Sequence, residues 1–398
     1  MSAGTRFRFA RCSTVLVVAT LLAAAGACGA DAEPARNARL YAEIEEAIRT
    51  AAEKTPGRFV SVGIIENGKL VSEKHFGSVI GKDDLPTSTT IYPIASMTKV
   101  ITGIMFLQLV DRGLVHFTDR ADKYVPEFSQ VPSSYPWAPP VTLMQLATMT
   151  SGIDAGDSYP APPTGNALPW DDDLPGTWDE RAAANMKHLK FNFEPGTRRS
   201  YSNIGYSILG LALSRAAGRA YDEYVETEIF KPLGMNDTSL AITEESSKRF
   251  AYGSETVAHL PSWKKHTLLP AAGAFSTMQD MVKLMRFQMG MGPEAVLSKK
   301  ALEDSFRLVV PSDGDLQYGD AIGFAAVRNA DSDLVSIGHG GRTWFFSGSY
   351  QFDRASKAGI LVFTTHWNDE FKPLVRQSLK KLHPGSRGGT GLEPLERH

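Results

Sequence analysis

The spacing of apolar residues changes twice along the chain and divides it into three regions. Residues 58–79, "RFVSVGIIENGKLVSEKHFGSV", alternate around Asn67-Gly68 and predict two strands joined by a tight turn. From 321 to 367, strand character returns in four segments: "AIGFAAVRN", "LVSIGHGG", "WFFSGSYQFD" and "AGILVFTTHW". Between the two strand regions, apolar residues recur at helical spacing, which predicts a helical lobe at about 141–260.

Helices are also predicted at four places outside this lobe. The first has one apolar face, formed by Leu40, Ile44, Ala47, Ile48 and Ala51. The second follows Ser96 through "VITGIMFLQLVDRG" and ends at Gly113. A capping-box pattern of Thr277 with Asp280 starts the third. The last covers about 368–382 and precedes a glycine-rich polar tail, for which disorder is predicted.

Strands at both ends of the chain and helices in the middle predict an α/β (α+β) fold. The simplest arrangement joins both ends in one mostly antiparallel sheet, with helices on its faces and the helical lobe inserted. Within that lobe, residues 154–180 are rich in Pro, Asp, Gly and Trp and predict a long loop. Two interpretations stay open: a solvated surface loop, or a wall of a binding cleft with Trp170 and Trp178 as apolar contacts.

Composition narrows the function classes. The 398 residues are 42% hydrophobic, enough for one large domain or two coupled lobes. A net charge of −2 gives no reason to expect nucleic-acid binding. The nine histidines show no metal-ligand spacing, so neither a metal nor another cofactor is predicted.

The N-terminus has the layout of a secretory signal. Arg6, Arg8 and Arg11 precede the apolar run "STVLVVATLLAAAGA", which ends in small residues. We therefore predict a signal peptide at 1–27 and export to the bacterial cell envelope. A retained anchor helix is the alternative.

Cys28 follows this run at a site that resembles a bacterial lipoprotein processing site. The resemblance implies lipidation of Cys28 and a membrane anchor, with 28–37 as a tether. The alternative is ordinary cleavage after Ala27, which would leave the protein periplasmic or secreted.

Three Ser-x-x-Lys pairs occur in the chain, and their surroundings differ. They begin at Ser96, Ser262 and Ser378. Only Ser96 stands at the mouth of an apolar helix, where unpaired backbone N–H groups favour negative charge. Residues three apart on a helix share a face, so Lys99 is expected to reach the Ser96 hydroxyl.

Two further motifs follow Ser96 in the chain. The segment "SYSNIGY" holds the chain's one Tyr-x-Asn pair, Tyr201 with Asn203. The segment "GHGGRTWFFSG" places His339, Gly340 and Gly341 on a predicted strand, where glycine often marks a close approach to the backbone. A second His-x-Gly, which begins at His75, precedes the serine.

Ser-x-x-Lys, Tyr-x-Asn and Lys/His-x-Gly in this order resemble the signature of serine β-lactamases and penicillin-binding proteins. The Tyr-x-Asn form is similar to the class C β-lactamase group, which includes D-aminopeptidases, DD-carboxypeptidases and carboxylesterases. The segments "TLMQLATMTSGI", "FEPGTRRSYSN", "IFKPLGMNDT" and "AAGAFSTMQDM" also resemble family segments. The resemblance implies a β-lactamase/transpeptidase-like domain at 38–385, with a tail at 386–398 and the site in a cleft between sheet and helical lobe.

The resemblance implies an acyl-enzyme formed on Ser96, with Lys99 and Tyr201 as candidate bases. Their free pKa values are about 10.4 and 10, and each group could lower the other's, so we predict a shared role. Tyr201 is the favoured proton donor to the leaving group, and Asn203 would hold Lys99 and a substrate carbonyl. The oxyanion would be held by the backbone N–H groups of Ser96 and of one residue on the His-Gly-Gly strand, Arg342.

At His339 the chain departs from the lactamase pattern, which has a permanently charged lysine there; histidine is mostly neutral at pH 7. Strand alternation points the Arg342 side chain to the opposite face. We therefore predict an exported serine hydrolase that cleaves an ester or a D-amino-acid peptide, with weak β-lactamase activity at most. The alternative is a penicillin- or peptidoglycan-binding receptor that does not turn over. Asn203 as a helix cap and His339 as a plain strand histidine also stay open, and the sequence does not give the oligomeric state.

Overall fold

The computed structural model describes most of the chain outside its N-terminal segment and several loops. The described residues are 32–53, 59–79, 84–153, 176–251, 268–306, 310–312, 315–328, 335–343, 346–365 and 371–382. The signal peptide, Cys28, Trp170, Ser262 and the tail at 386–398 lie outside them. None of the described helices is both long and apolar enough to cross a membrane.

The chain divides into two compact units, Met1–Glu46 and Ala47–His398. Helix α1, Ala32–Glu53, begins in the first unit. It contains the predicted helix at 40–51, and its start at Ala32 lies inside the stretch 28–37 that was predicted as a tether. Everything described below belongs to the second unit.

An eight-stranded antiparallel sheet joins the two ends of that unit. The ten strands of the described chain are β1 Val60–Glu66, β2 Lys69–Phe76, β3 Tyr92–Pro93, β4 Phe275–Ser276, β5 Val310–Ser312, β6 Asp315–Asp320, β7 Ala325–Arg328, β8 Val335–Arg342, β9 Ser347–Asp353 and β10 Ala358–Thr364. The order in the large sheet is β2-β1-β10-β9-β8-β7-β6-β5, and β3 pairs separately with β4. Strand β1 lies against β10, with Val60 opposite Thr364, which confirms the predicted union of the two ends.

The strand predictions hold best where alternation is clear. Asn67 and Gly68 both have positive φ, +51° and +67°, as a two-residue hairpin turn of this kind requires. The strand predicted from residue 321 begins only at Ala325, because residues 321–324 form a turn closed by the Ala321 N–H donating to the Phe324 carbonyl. Strands β5 and β6 had no clear pattern in the sequence.

Apart from α1, the described α-helices lie between β2 and β5, with one more after β10. After α1 the described helices are α2 Thr98–Asp111, α3 Ala121–Tyr124, α4 Leu143–Ala147, α5 Trp178–Asn185, α6 Asn203–Ala217, α7 Tyr221–Val225, α8 Lys231–Leu233, α9 Glu244–Ser247, α10 Leu269–Ala272, α11 Met278–Arg286, α12 Lys299–Ser305 and α13 Phe371–Leu382. Helix α2 is buried on all sides from Thr98 to Leu109, as expected for a helix that is apolar around its whole circumference. It is the central helix of the core, and Ser96 lies directly before it.

The structure corrects one prediction, the capping box at Thr277, and decides one open interpretation, the place of Trp178. Thr277 caps α11 by accepting from the Asp280 N–H, but the Asp280 carboxylate accepts from the Asp237 N–H and the Thr238 hydroxyl, so no reciprocal capping box forms. Trp178 is buried at the start of α5, with its ring edge-on to Tyr221 at 5.9 Å. Trp178 is therefore part of the helical core, not a cleft wall.

Candidate active site

The turn that carries Ser96 is held in an unusual backbone conformation. Strand β3 leads into a 3₁₀ turn at Ala95–Met97, and α2 follows immediately. Ala95 has a φ of +48°, which is uncommon for a residue with a side chain. The Met97 N–H donates to the Ile94 carbonyl at 3.1 Å, and the Thr98 hydroxyl donates to the Ala95 carbonyl at 2.6 Å. These bonds fix the backbone on both sides of Ser96.

Lys99 is fully buried beside this turn, and its Nζ has three oxygen neighbours. It lies 3.2 Å from Ser96 Oγ, 2.6 Å from Asn203 Oδ1 and 2.9 Å from the Ala271 carbonyl. Burial lowers the pKa of Lys99 well below its ordinary value, because charge is costly away from water. A neutral amine has two N–H donors and one lone pair. The donors suit Asn203 and Ala271, which leaves the lone pair to accept from the Ser96 hydroxyl.

Two tyrosine rings close the remaining sides of the amine. Lys99 Nζ lies 4.8 Å from the ring centroid of Tyr201 and 5.6 Å from that of Tyr206. Tyr201 is half-buried, at the edge of the apolar core, and Tyr206 is fully buried. The structure thus brings Ser96, Lys99, Tyr201 and Asn203 together. Tyr206 was not predicted from the sequence, although its place one helical turn after Asn203 was a signal.

Ser202, between Tyr201 and Asn203, caps the helix and so leaves the Asn203 side chain available to bond Lys99. Ser202 is the N-cap of α6, and its hydroxyl accepts from the Gly205 N–H at 2.9 Å. Asn203 occupies the first helical position and directs its amide oxygen to Lys99. The interpretation of Asn203 as the helix cap is therefore wrong, because Ser202 has that role.

The carbonyl of Ala271 is brought to Lys99 by hydrogen bonds between α2 and the segment around α10. Thr102 Oγ1 donates to the Pro270 carbonyl at 2.6 Å, and Thr98 Oγ1 accepts from the Ala274 N–H at 3.1 Å. A backbone carbonyl has no signature in the sequence, so this partner of Lys99 was not predicted.

Strand β8 approaches the Ser96 turn through a glycine. A Cβ on Gly341 would lie 2.1 Å from the Ile94 carbonyl oxygen, so only glycine fits there. The Thr343 N–H donates to the Phe346 carbonyl, and antiparallel pairing alternates along the strand. The N–H groups of Gly340 and Arg342 therefore point away from β9. Strand β7 pairs with β8 only as far as Gly338, so within the described strands this edge of β8 is open beside both groups.

The side chains of β8 follow the expected alternation. His339 is half-buried and lies opposite Tyr350 of β9, on the same face as Gly341. Its Nδ1 is 2.5 Å from the Gly340 carbonyl oxygen. The Arg342 side chain is exposed on the other face. Arg342 therefore does not place its charge beside His339.

Relatives with named activities share part of this chain. A D-alanyl-D-alanine-carboxypeptidase/endopeptidase, AmpH of Escherichia coli K12, is 28% identical over 226 residues, 56% of this chain and 55% of the relative. Beta-lactamase-like protein 2 of Dictyostelium discoideum is 27% identical over 297 residues, 71% of this chain and 51% of the relative. The chain thus spans little more than half the length of these curated relatives.

Solved structures show the same fold. A beta-lactamase/D-alanine carboxypeptidase from Yersinia pestis, complexed with citrate, matches with a TM-score of 0.66 and 26% identity, over 81% of this chain and 93% of the other. An octameric penicillin-binding protein homologue from Pyrococcus abyssi matches with a TM-score of 0.69 and 23% identity, over 86% of this chain and 77% of the other, and this likeness concerns the fold alone. The family model for beta-lactamase matches residues 44–382, most of the chain, and we conclude that the protein belongs to the beta-lactamase family.

Proposed function

We propose that the protein is an exported serine hydrolase that forms an acyl-enzyme on Ser96 and hydrolyses an ester or amide bond. The observation that carries this proposal is the fully buried Lys99 amine, 3.2 Å from the Ser96 hydroxyl, with two acceptors for its own N–H groups. A serine hydroxyl needs a base to become a nucleophile, and a neutral amine at this distance is such a base.

Acylation would begin with transfer of the Ser96 proton to Lys99. The serine oxygen forms a bond to the substrate carbonyl carbon, and the carbonyl π electrons move to its oxygen. The oxyanion would be held by the backbone N–H groups of Ser96 and Arg342. The open edge of β8 supports the role of Arg342, because its N–H points away from β9. One such donor contributes on the order of 3 kcal/mol in other enzymes.

Breakdown of this intermediate needs a proton for the leaving group. Tyr201 is the proposed donor: its hydroxyl proton passes to the departing oxygen or nitrogen as the bond to carbon breaks, and the proton taken by Lys99 then replaces it on Tyr201. The supporting observation is that both groups lie in one pocket, with the Lys99 amine over the Tyr201 ring, 4.8 Å from its centroid. Water then adds to the acyl carbon and gives one proton to Lys99. As the bond from carbon to Ser96 Oγ breaks, Lys99 returns that proton to the serine oxygen, and the acid leaves.

The proposed substrate is an ester or a D-amino-acid peptide, not an efficiently hydrolysed β-lactam. The named activities of AmpH and of the Yersinia pestis protein support a D-alanine carboxypeptidase-type reaction. His339 replaces the permanent charge that would suit a β-lactam carboxylate, and Arg342 points to the other face. The second candidate, a receptor that is acylated without turnover, shares the same first step and differs in deacylation.

A labelling and turnover experiment tests the proposal. Wild type and Ser96→Ala would be treated with a fluorophosphonate, and the adduct located by mass spectrometry. Separate, untreated samples of both proteins would be assayed with a nitrophenyl ester, a D-Ala-D-Ala peptide and a chromogenic cephalosporin. We expect one adduct on Ser96, a burst followed by steady ester turnover, and neither in Ser96→Ala. Equal rates in the two proteins would contradict the proposal, and a burst without turnover would favour the receptor.

We further propose export through the signal at 1–27, with lipidation of Cys28 as the membrane anchor. The supporting observation is the sequence layout alone. Labelling of cells with an alkyne fatty acid should mark wild type and not Cys28→Ala. An unlabelled wild type recovered in the soluble envelope fraction would instead indicate ordinary cleavage after Ala27.

A further inference from the structure

A second histidine, outside the candidate site, takes part in a hydrogen-bonded chain through the sheet. His75 Nδ1 lies 2.8 Å from Ser61 Oγ, and Ser61 Oγ lies 2.9 Å from the Tyr92 hydroxyl. Glu73 lies beside the imidazole, with its Oε1 3.3 Å from His75 Nε2, but makes no hydrogen bond to it. His75 and Ser61 are direct partners across β2 and β1. The chain therefore runs from the edge strand β2, through β1, to the strand that leads into Ser96.

The arrangement resembles a serine–histidine–carboxylate triad, but Ser61 cannot serve as a nucleophile. Its side chain is fully buried, so an acyl substrate has no access to it. The Ser61 hydroxyl is hydrogen-bonded to His75 on one side and to Tyr92 on the other, so it links the two side chains. These hydrogen bonds therefore serve to hold the Tyr92 side chain in place.

Tyr92 is four residues before Ser96, on the short strand that leads into the Ser96 turn. Strand β3 has two residues, and its ladder partner β4 also has two. The Tyr92 ring stacks on Phe363 at 4.3 Å between centroids, and burial raises the pKa of Tyr92 above its usual range, so the hydroxyl keeps its proton. The hydroxyl bond to Ser61 thus fixes the side of β3 that faces the large sheet.

The opposite side of β3 is anchored by a second polar chain. Ser276 of β4, the partner of Tyr92, exchanges a hydrogen bond with Thr238 at 2.8 Å, and Thr238 donates to Asp280 at 2.9 Å. Directly after β3, Ala95 has its positive φ. A residue in such a conformation persists only when its surroundings hold it there.

We propose that His75, Ser61 and Tyr92 form a positioning relay that fixes β3 and so sets the Ser96 hydroxyl in line with Lys99. This inference rests on the proposed function, because positioning matters only if Ser96 is the nucleophile. The relay also gives a role to His75, whose His-x-Gly motif lies outside the candidate site.

The test measures the reactivity of Ser96 in two variants that each lose one buried tyrosine hydroxyl. Tyr92→Phe breaks the relay. Tyr224→Phe is the matched control, because the Tyr224 hydroxyl bonds Arg112 at 3.2 Å, beyond the far end of α2. We expect the rate of fluorophosphonate labelling and kcat/KM for a nitrophenyl ester to fall about tenfold in Tyr92→Phe, since small misplacements of a nucleophile are costly. Tyr224→Phe should label at the wild-type rate.

Thermal unfolding separates positioning from stability. The two variants each lose one hydrogen bond, so rates are compared per folded molecule. The relay would be overturned if the labelling rate of Tyr92→Phe fell only in proportion to its unfolded fraction. Equal labelling rates in Tyr92→Phe and Tyr224→Phe would overturn it as well. Wild type without a Ser96 adduct would instead overturn the proposed function, so the two failures are distinguishable.

A second pair keeps the inference testable if Tyr92→Phe does not fold. His75→Asn retains a side-chain amide near the position of Nδ1, whereas His75→Ala retains none. The relay predicts slow labelling in His75→Ala and recovery in His75→Asn. Equal labelling of these two variants at the wild-type rate would contradict it.

Discussion

Two Ser-x-x-Lys pairs in the described chain share a spacing and differ in how deeply the lysine is buried. Ser96 and Ser378 are both buried, with 7% and 3% of their surface exposed, so the serines do not distinguish the pairs. The lysines do. Lys99 is fully buried in the core, whereas Lys381 is half-buried in α13, a helix that lies against β9 and β10. The spacing therefore does not fix how far the lysine is desolvated, and the proposed reaction depends on that desolvation.

The largest expected effect separates the two serines. Ser96→Ala removes the nucleophile, and we expect ester hydrolysis to fall by about 10⁴-fold or more. Ser378→Ala lies within α13 and should hydrolyse the same ester at the wild-type rate. Initial rates with a nitrophenyl ester measure both. Comparable losses in the two variants would remove the distinction between the pairs.

The next effect separates the two lysines. Lys99→Met keeps most of the side-chain volume but removes the base, and we expect kcat/KM to fall about 10³-fold. Lys381→Met serves as the control and should retain activity, because its amine has no part in the proposed proton transfer. The same ester assay measures kcat/KM of both variants, and circular dichroism checks that each is folded. Full activity in Lys99→Met would mean that another group takes the serine proton.

A smaller effect concerns the contact between β8 and the Ser96 turn. Gly341→Ala would place a Cβ 2.1 Å from the Ile94 carbonyl, so β8 must move, whereas a Cβ on Gly340 would have its nearest neighbour at 3.6 Å. We expect Gly341→Ala to lose about 1–3 kcal/mol of stability by overpacking, and Gly340→Ala to lose less. Thermal unfolding of both variants measures this. Equal unfolding temperatures would show that the close approach of β8 to the turn has no energetic consequence.

The pH dependence gives the smallest effect, about tenfold per pH unit below the pKa that controls the base. The neutral amine of Lys99 is the active form, so kcat/KM should rise with pH. Because burial lowers the pKa of Lys99, this rise should be complete well below the ordinary lysine range. The folded state also binds fewer protons than the unfolded state between the two pKa values, so this residue's contribution to stability rises with pH there. A rise centred near pH 10 would indicate that Lys99 has the pKa of an exposed lysine.

Sequence patterns predicted the parts of the fold that depend on neighbouring residues in the chain. The hairpin at Asn67-Gly68, the helix after Ser96 and the pairing of both chain ends are confirmed, because alternation, turn chemistry and helical spacing are local properties. Contacts between distant segments, not local patterns, determine the late start of β7 and the missing reciprocal cap at Asp280. Residues 321–324 turn because they pack against α2, where a Cβ on Gly323 would lie 2.6 Å from the Lys99 carbonyl oxygen. The Asp280 carboxylate bonds to a distant segment instead of its own helix start.

By itself, the sequence determined which residue types stand where: a serine before an apolar helix, a lysine one turn later, then the Tyr-x-Asn and His-Gly-Gly motifs in order. Only the tertiary structure decided that Lys99 is buried, that Asn203 and the Ala271 carbonyl accept its N–H groups, and that Arg342 turns its side chain outward. The physical reason is that pKa values and hydrogen-bond partners depend on distance and solvent exclusion, and these arise from segments more than 100 residues apart in the chain.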